Sequence, residues 1–287
     1  MRAGGAAFLL LMAVVSASAQ DPSDLVRRAI AQDQLSLARR KDYTWQASSV
    51  ERHFDSRGKV SSTKQEAWES LILDGMAYRK TTERDGKPLN AEEQREEQKR
   101  LDRITRKLST ETPAERQHRL DEAGKESKRE WAFLSEIPGL FNLRLEGEGT
   151  IDGRPVWIIA GEPRPGAKPK GRDAKVLLKV RGRMWIDKAT GQWAKVEAET
   201  TDTIAWGVFL ARLHPGAKLV FEQTQVDAET WLPKRLFMSG DGRVGLVKRV
   251  AEDEEIDWRN YKKFTVDSKI VGQTVDFRRL SFLTPEE

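Results

Sequence analysis

The sequence predicts a mainly β protein with helices, an α+β fold in which one antiparallel sheet holds most of the chain. Two observations support that expectation. Apolar residues recur in short runs at strand-like spacing, and turns rich in glycine or aspartate separate the runs. One stretch, residues 90–135, breaks the pattern with two helix-start signatures and a dense mixture of charges. No repeat of fixed period is visible in the 287 residues, so one sheet interrupted by helices fits better than two domains.

Residues 1–19 have the form of an export leader. Arg2 precedes ten unbroken apolar residues, 6–15, and Ala17-Ser18-Ala19 is a small-x-small cleavage pattern before Gln20. Ten apolar residues are too few to cross a bilayer core, which needs about twenty. The mature chain, 20–287, is therefore expected as one exported domain. Asn90, Asn142 and Asn260 lie in no glycosylation acceptor, which favours a bacterial envelope, hence the periplasm.

An amphipathic helix is expected over residues 25–40, with Leu25, Ala29, Leu35 and Ala38 on one face. Residues 43–54, 60–73 and 76–84 read as an antiparallel meander, punctuated by Ser56-Arg57-Gly58, Asp74-Gly75 and Asp85-Gly86. Asn90 with Glu93, and Thr112 with Glu115 and Pro113, then mark two helix starts. Charge pairs such as Glu96 with Arg100 support these helices. Their apolar stripes are thin: Leu101, Ile104 and Leu108 on the first, Leu120, Trp131 and Leu134 on the second. A solvated hairpin with a narrow seam is the plain reading, and a partner-docking arm the alternative. Acids interleaved with the bases leave no sustained positive face for nucleic acid.

Further strands are expected at residues 141–149, 155–162, 174–187, 192–204, 218–227, 231–239 and 243–258. The connector at 163–172 is proline-rich and basic. Its Arg164, Lys168, Lys170 and Arg172 are candidates to touch anionic head groups of a membrane surface.

Asp187-Lys188-Ala189-Thr190-Gly191 has the form of a hairpin loop with glycine at a positive φ. Pairing Asp187 with Gly191 sets Trp185 opposite Trp193, Arg181 opposite Glu197 and Lys179 opposite Glu199 on a wet face. The other face is dry: Val176, Leu178, Val180, Met184 and Ile186 on one strand, Ala194, Val196 and Ala198 on its neighbour. These eight residues are the candidate wall for an apolar ligand.

Catalytic and metal chemistry has little to work with. There is no cysteine, which excludes a disulfide framework, thiolate chemistry and lipidation on a mature N-terminal Cys. His53, His118 and His214 are scattered over a strand, the helical arm and a loop. No nucleophile elbow, phosphate loop, dinucleotide fingerprint or zinc-protease motif occurs. Glu252 to Glu255 are consecutive strand residues that alternate between faces, and Glu197 with Glu199 reads as an ion-paired ladder. The expectation is a non-enzyme with no cofactor and no metal. A net charge of +5 is compatible with a membrane surface but specifies no partner.

Across residues 141–265, Asp152-Gly153-Arg154-Pro155-Val156-Trp157, Trp185-Ile186-Asp187-Lys188, Thr230-Trp231-Leu232-Pro233-Lys234-Arg235 and Asn260-Tyr261-Lys262-Lys263-Phe264 resemble the outer-membrane lipoprotein-sorting, LolA-like, superfamily. The resemblance implies a strongly curved antiparallel half-barrel whose concave face, partly covered by helices, takes lipid or lipoprotein acyl chains. Relative to those compact carriers the helices at 90–135 look like an insertion. The expected function is binding of a lipid, lipoprotein or other apolar ligand in the cell envelope; the alternative is a protein-interaction or sensor module that docks a partner through its helical arm.

Overall fold

A computed structural model describes residues 20–206, 211–244 and 248–263. The expected leader and Phe264 lie outside the described residues. Among these residues no helix is long and apolar enough to cross a membrane.

Helix α1, Pro22–Arg39, starts where Asp21 accepts the Ser23 N–H at 2.9 Å and Pro22 fills the first turn. Its buried stripe is Leu25, Val26, Ala29, Ile30, Asp33 and Ser36. The predicted Leu35 and Ala38 are exposed instead. The buried face continues through polar residues because polar partners wait for them on the sheet. A 3-10 turn, Arg40–Asp42, leads into β1, Tyr43–Phe54, followed by β2, Val60–Leu73, and β3, Met76–Arg84. These three strands end where the sequence predicts. Asp74 and Gly75, at φ 51° and 83°, form the two-residue positive-φ hairpin that joins β2 to β3.

After the short β4, Lys87–Pro88, come α2, Ala91–Ser109, and α3, Pro113–Ala132. Both expected capping boxes are present: Asn90 with Glu93 and Thr112 with Glu115. The helices are fastened to the sheet and do not stand off it as an arm. The Thr81 N–H donates to Glu97 at 2.7 Å, and Arg100 donates to the Arg79 carbonyl at 2.9 Å, which ties α2 to β3. Arg116 pairs with Asp74 at 2.7 Å, and Leu120 lies against Gly75, which ties the start of α3 to the β2–β3 turn.

A 3-10 turn, Phe133–Glu136, and the single-turn α4, Ile137–Leu140, then precede β5, Phe141–Ile151, and β6, Arg154–Pro163. Residues 174–179, expected as strand, are instead a 3-10 segment, Asp173–Lys179. Ala174 and Leu177 are its buried residues, a spacing of three that suits this helix and not a strand. The remaining strands are β7, Val180–Asp187; β8, Trp193–Thr200; β9, Ile204–Trp206; β10, Ala211–Leu213; β11, Lys218–Gln225; β12, Trp231–Val244; and β13, Lys248–Lys263. The expected strand at 192–204 stops at Thr200. Arg243 belongs to β12, where it faces Arg249, and does not begin the following strand.

Among the described residues all pairings are antiparallel in one open sheet, ordered β4-β3-β2-β1-β13-β12-β11-β8-β7-β6-β5, with β9 and β10 attached beside β12. From β13 to β5 is six steps, about 29 Å if the sheet were flat. Yet Trp258 of β13 and Phe141 of β5 line the same hollow, so the sheet curls into a half-barrel.

The β7–β8 register differs from the expected one. Asp187 bonds to Gln192, Ile186 faces Trp193, and one extra residue at Ala194 then shifts the pairing so that Trp185 faces Lys195 and Arg181 faces Glu199. The Asp187 carboxylate accepts the Thr190 N–H and hydroxyl at 2.8 Å inside the turn, which lengthens the loop beyond the assumed pairing. The shift beyond the bulge is two residues, so the faces of Val180, Met184, Val196 and Ala198 are preserved. Lys179 is not opposite Glu199; it pairs with Asp202 at 3.2 Å.

Candidate functional site

Cross-strand partners and alternate residues share a face, so the concave face can be followed strand by strand. From β5 to β12 it reads Leu143, Gly161, Gly182, Ala198, Leu219 and Met238, each opposite the next. Gly161, Gly182 and Ala198 lie side by side in that row and project almost nothing into the space above them. The result is a partly enclosed cavity of about 360 Å³, within the usual range for small-molecule sites. Its walls are overwhelmingly apolar. Phe133, Leu134 and Ile137 approach from the segment after α3, Val176 and Leu177 from the 3-10 segment, and Trp131 from the end of α3.

Of the eight expected wall residues, Val176, Val180, Met184, Val196 and Ala198 line this cavity. Three are placed elsewhere. Ile186 is fully enclosed beneath α1, Ala194 is the buried bulge residue, and Leu178 packs against the core around α1. The glycines were missed because a residue without a side chain adds nothing to hydrophobic periodicity. Their positions opposite one another become apparent only in the register.

Two polar groups on the wall were also missed. Asp33 of α1 is 9% exposed and accepts three hydrogen bonds on one oxygen, Oδ1: from Gln223 at 2.7 Å, Trp193 at 2.8 Å and Gln192 at 3.1 Å. Burial pushes its carboxyl above the usual carboxylate range, and the three donors only partly offset this. Arg40 lies over the Trp45 ring at 4.8 Å, and burial pulls its guanidinium down to about 10 against an opposing influence from Tyr261.

Beyond Met238 and Gly240 the concave face turns charged. Their partners on β13 are Glu254 and Glu252, which face Glu51 and His53 on β1. His53, expected to be solitary, bridges two carboxylates: Nε2 lies 3.0 Å from Glu51 and Nδ1 3.0 Å from Glu252. One ligand atom from each residue falls within 4.8 Å of the others, the spacing of a possible metal site. Both imidazole nitrogens already face carboxylates, so a metal would have to displace one contact. Elsewhere His118 is exposed on α3 and His214 meets Asp241 at 3.1 Å.

The four cations of the 163–172 connector are exposed. The loop itself is pinned to the cavity cover, because Glu136 accepts the backbone N–H groups of Lys170 at 2.6 Å and Gly171 at 2.9 Å.

No family model and no curated protein matches the chain. Solved structures do. The chain is similar to outer-membrane lipoprotein-sorting, LolA-superfamily, domains. A putative outer membrane lipoprotein-sorting protein domain from Vibrio parahaemolyticus matches over 85% of this chain and 95% of its own at 14% identity and TM-score 0.33. A DUF1329 family protein from Desulfovibrio piger matches over 87% and 96% at 14% identity and TM-score 0.31. A LolA superfamily protein from Nitrosomonas europaea matches over 86% and 96% at 10% identity and TM-score 0.30. At these values the likeness carries no functional weight, which rests on the cavity of this chain.

Proposed function

We propose that this is an exported, non-enzymatic envelope protein that binds a lipid, a lipoprotein acyl chain or another apolar ligand in the hollow of its curved sheet. The observation behind this reading is the cavity of about 360 Å³, lined on its floor by Gly161, Gly182 and Ala198 and walled by apolar side chains. Leaving so much apolar surface uncovered sacrifices stabilisation of about 25 cal/mol per Å², and a protein without an occupant for the site gains nothing from it. The leader-like pattern of residues 1–19 supports an envelope location.

Mass spectrometry of solvent extracts from natively purified protein is expected to show stoichiometric lipid. Val196→Phe, which grows into the cavity, is expected to abolish lipid uptake while the protein still folds. Absence of bound lipid after incubation with outer-membrane extract would sink the proposal.

Arg164, Lys168, Lys170 and Arg172, held near the cavity cover by Glu136, are proposed as the contact to anionic head groups. Each cation near such a surface contributes about 1 kcal/mol. Binding to anionic vesicles should weaken as salt rises and fall further when all four are replaced by Ser. Binding that is indifferent to salt contradicts this contact.

A further inference from the structure

Asp33 is a curious residue to place on the wall of an apolar cavity. It is nine-tenths buried, it sits on α1 between the helix and the sheet, and a leucine there would enlarge the core. Its role as a tether to the sheet uses only half of the carboxyl. Gln192 and Trp193 from the start of β8, and Gln223 from β11, all donate to Oδ1. Oδ2 accepts from no described residue, and Asp33 contributes to the cavity wall. Oδ2 is not among the fully enclosed polar atoms, so it stays accessible on the cavity wall, and a hydrogen bond donated to a charged carboxylate is worth about 1.5–3 kcal/mol to a ligand that supplies the donor.

We propose that Asp33 is the polar anchor of the cavity: its Oδ2 accepts a hydrogen bond from the head of a bound amphiphile, whose hydrocarbon chain lies along the apolar wall. The inference rests on the cavity-binding reading and adds a ligand class, single-chain amphiphiles with a hydroxyl or amine donor at the head. Amphiphiles whose heads only accept hydrogen bonds leave Oδ2 unpaired and are discriminated against. An uncharged carboxyl has the same geometry but becomes a donor itself, so the preference should invert once Asp33 is protonated.

The test uses calorimetric titration of the delipidated protein with dodecanol, dodecylamine and methyl laurate, which share a similar chain and differ in the head. The wild type should bind the alcohol and the amine about tenfold more tightly than the ester, one hydrogen bond to a charged carboxylate being worth at least about that factor. Asp33→Asn retains an oxygen for the three tethering donors and replaces Oδ2 by an N–H₂ group. It should melt at or above the wild type at neutral pH and lose or invert the preference. A second reading needs no variant: the carbon-13 resonance of the Asp33 carboxyl should move when dodecanol binds, and stay put with methyl laurate. Equal binding of all three ligands by the wild type, or an Asp33→Asn protein that keeps the wild-type preference, overturns the anchor while leaving the cavity reading intact. Failure of the wild type to bind any of the three would instead overturn the cavity reading and the anchor with it.

Discussion

Asp187 shows how much one side chain can determine locally. It is 1% exposed, takes Arg154 Nε at 2.7 Å and Nη2 at 3.0 Å, and closes the β7–β8 turn through Thr190. Burial alone would raise its carboxyl; the bonds from Arg154 and Thr190 outweigh burial and hold it below the ordinary carboxylate range. A carboxyl with a depressed folded pKa contributes stability above the unfolded value, about 4, and that contribution is lost as the pH falls through the folded one. Arg154→Met is therefore expected to cost about 1–2 kcal/mol at neutral pH, after allowing for the partial exposure of the arginine. Urea unfolding should show that gap closing as the pH drops below about 4. Asp33 has the opposite sign. Its folded pKa is raised, so the unfolded chain ionises first and stability is lost as the pH rises between the two values. Asp33→Asn should therefore gain in melting temperature relative to the wild type as the pH is raised from about 4. The buried indole N–H groups of Trp45, Trp68, Trp231 and Trp258 have no hydrogen-bond partner among the described residues. Such residues add contact area at a polar cost, and the sequence shows the area but not the cost.

At the level of elements, the helices at 91–132 change meaning once placed. The sequence shows their caps and their charges, and both capping boxes form. It does not show that α3, about 30 Å long at 1.5 Å per residue, runs from Asp74 at the β2–β3 turn to Trp131 on the cavity wall. The helix is a strap across the half-barrel. Replacing both Arg116 and Arg119 by Ala removes its ion pairs to Asp74 and Glu111, each pair being worth at most about 1 kcal/mol. Amide hydrogen exchange should speed up along α3 with little change in β1 and β13. Equal protection in both proteins would show that apolar contacts alone hold the strap. The row of small residues is equally specific: a Cβ added at Gly182 would run into the Glu197 carbonyl oxygen on β8. Gly182→Ala is expected to destabilise the protein by about 2 kcal/mol, read from the urea midpoint.

For the whole molecule, the concave face is apolar from β5 to β12 and onward through Trp258, Ala47 and Trp68, and turns charged only toward the other end of β13 and β1, where Glu252, Glu254, Glu51 and His53 meet. The expected dry face held for Val180, Met184, Val196 and Ala198 even though the register was displaced, whereas Trp193, expected on the wet face, is buried opposite Ile186 and lines the cavity. Face identity survives a shift of two residues; pairing does not. The first three strands were legible to the residue because Gly58, Asp74-Gly75 and Asp85-Gly86 punctuate them. The 3-10 segment was not, because Ala174, Val176 and Leu178 mimic strand alternation while Leu177, at helical spacing from Ala174, is the residue buried. A cavity depends on what faces each residue. Filling it with Val196→Phe should abolish lipid uptake, and that outcome concerns the assembled sheet and no single strand.

The sequence by itself determined most of the longer elements, many of their ends, the helix caps and the existence of a dry sheet face, since these depend on neighbours within a few residues. Only the tertiary structure decided that the dry face encloses a hollow, that Gly161, Gly182 and Ala198 form its floor, and that Asp33 stands on its wall. Those features arise from residues 128 to 165 positions apart along the chain for Asp33 and the floor, and chain-local patterns carry no information about which distant backbones curl toward one another.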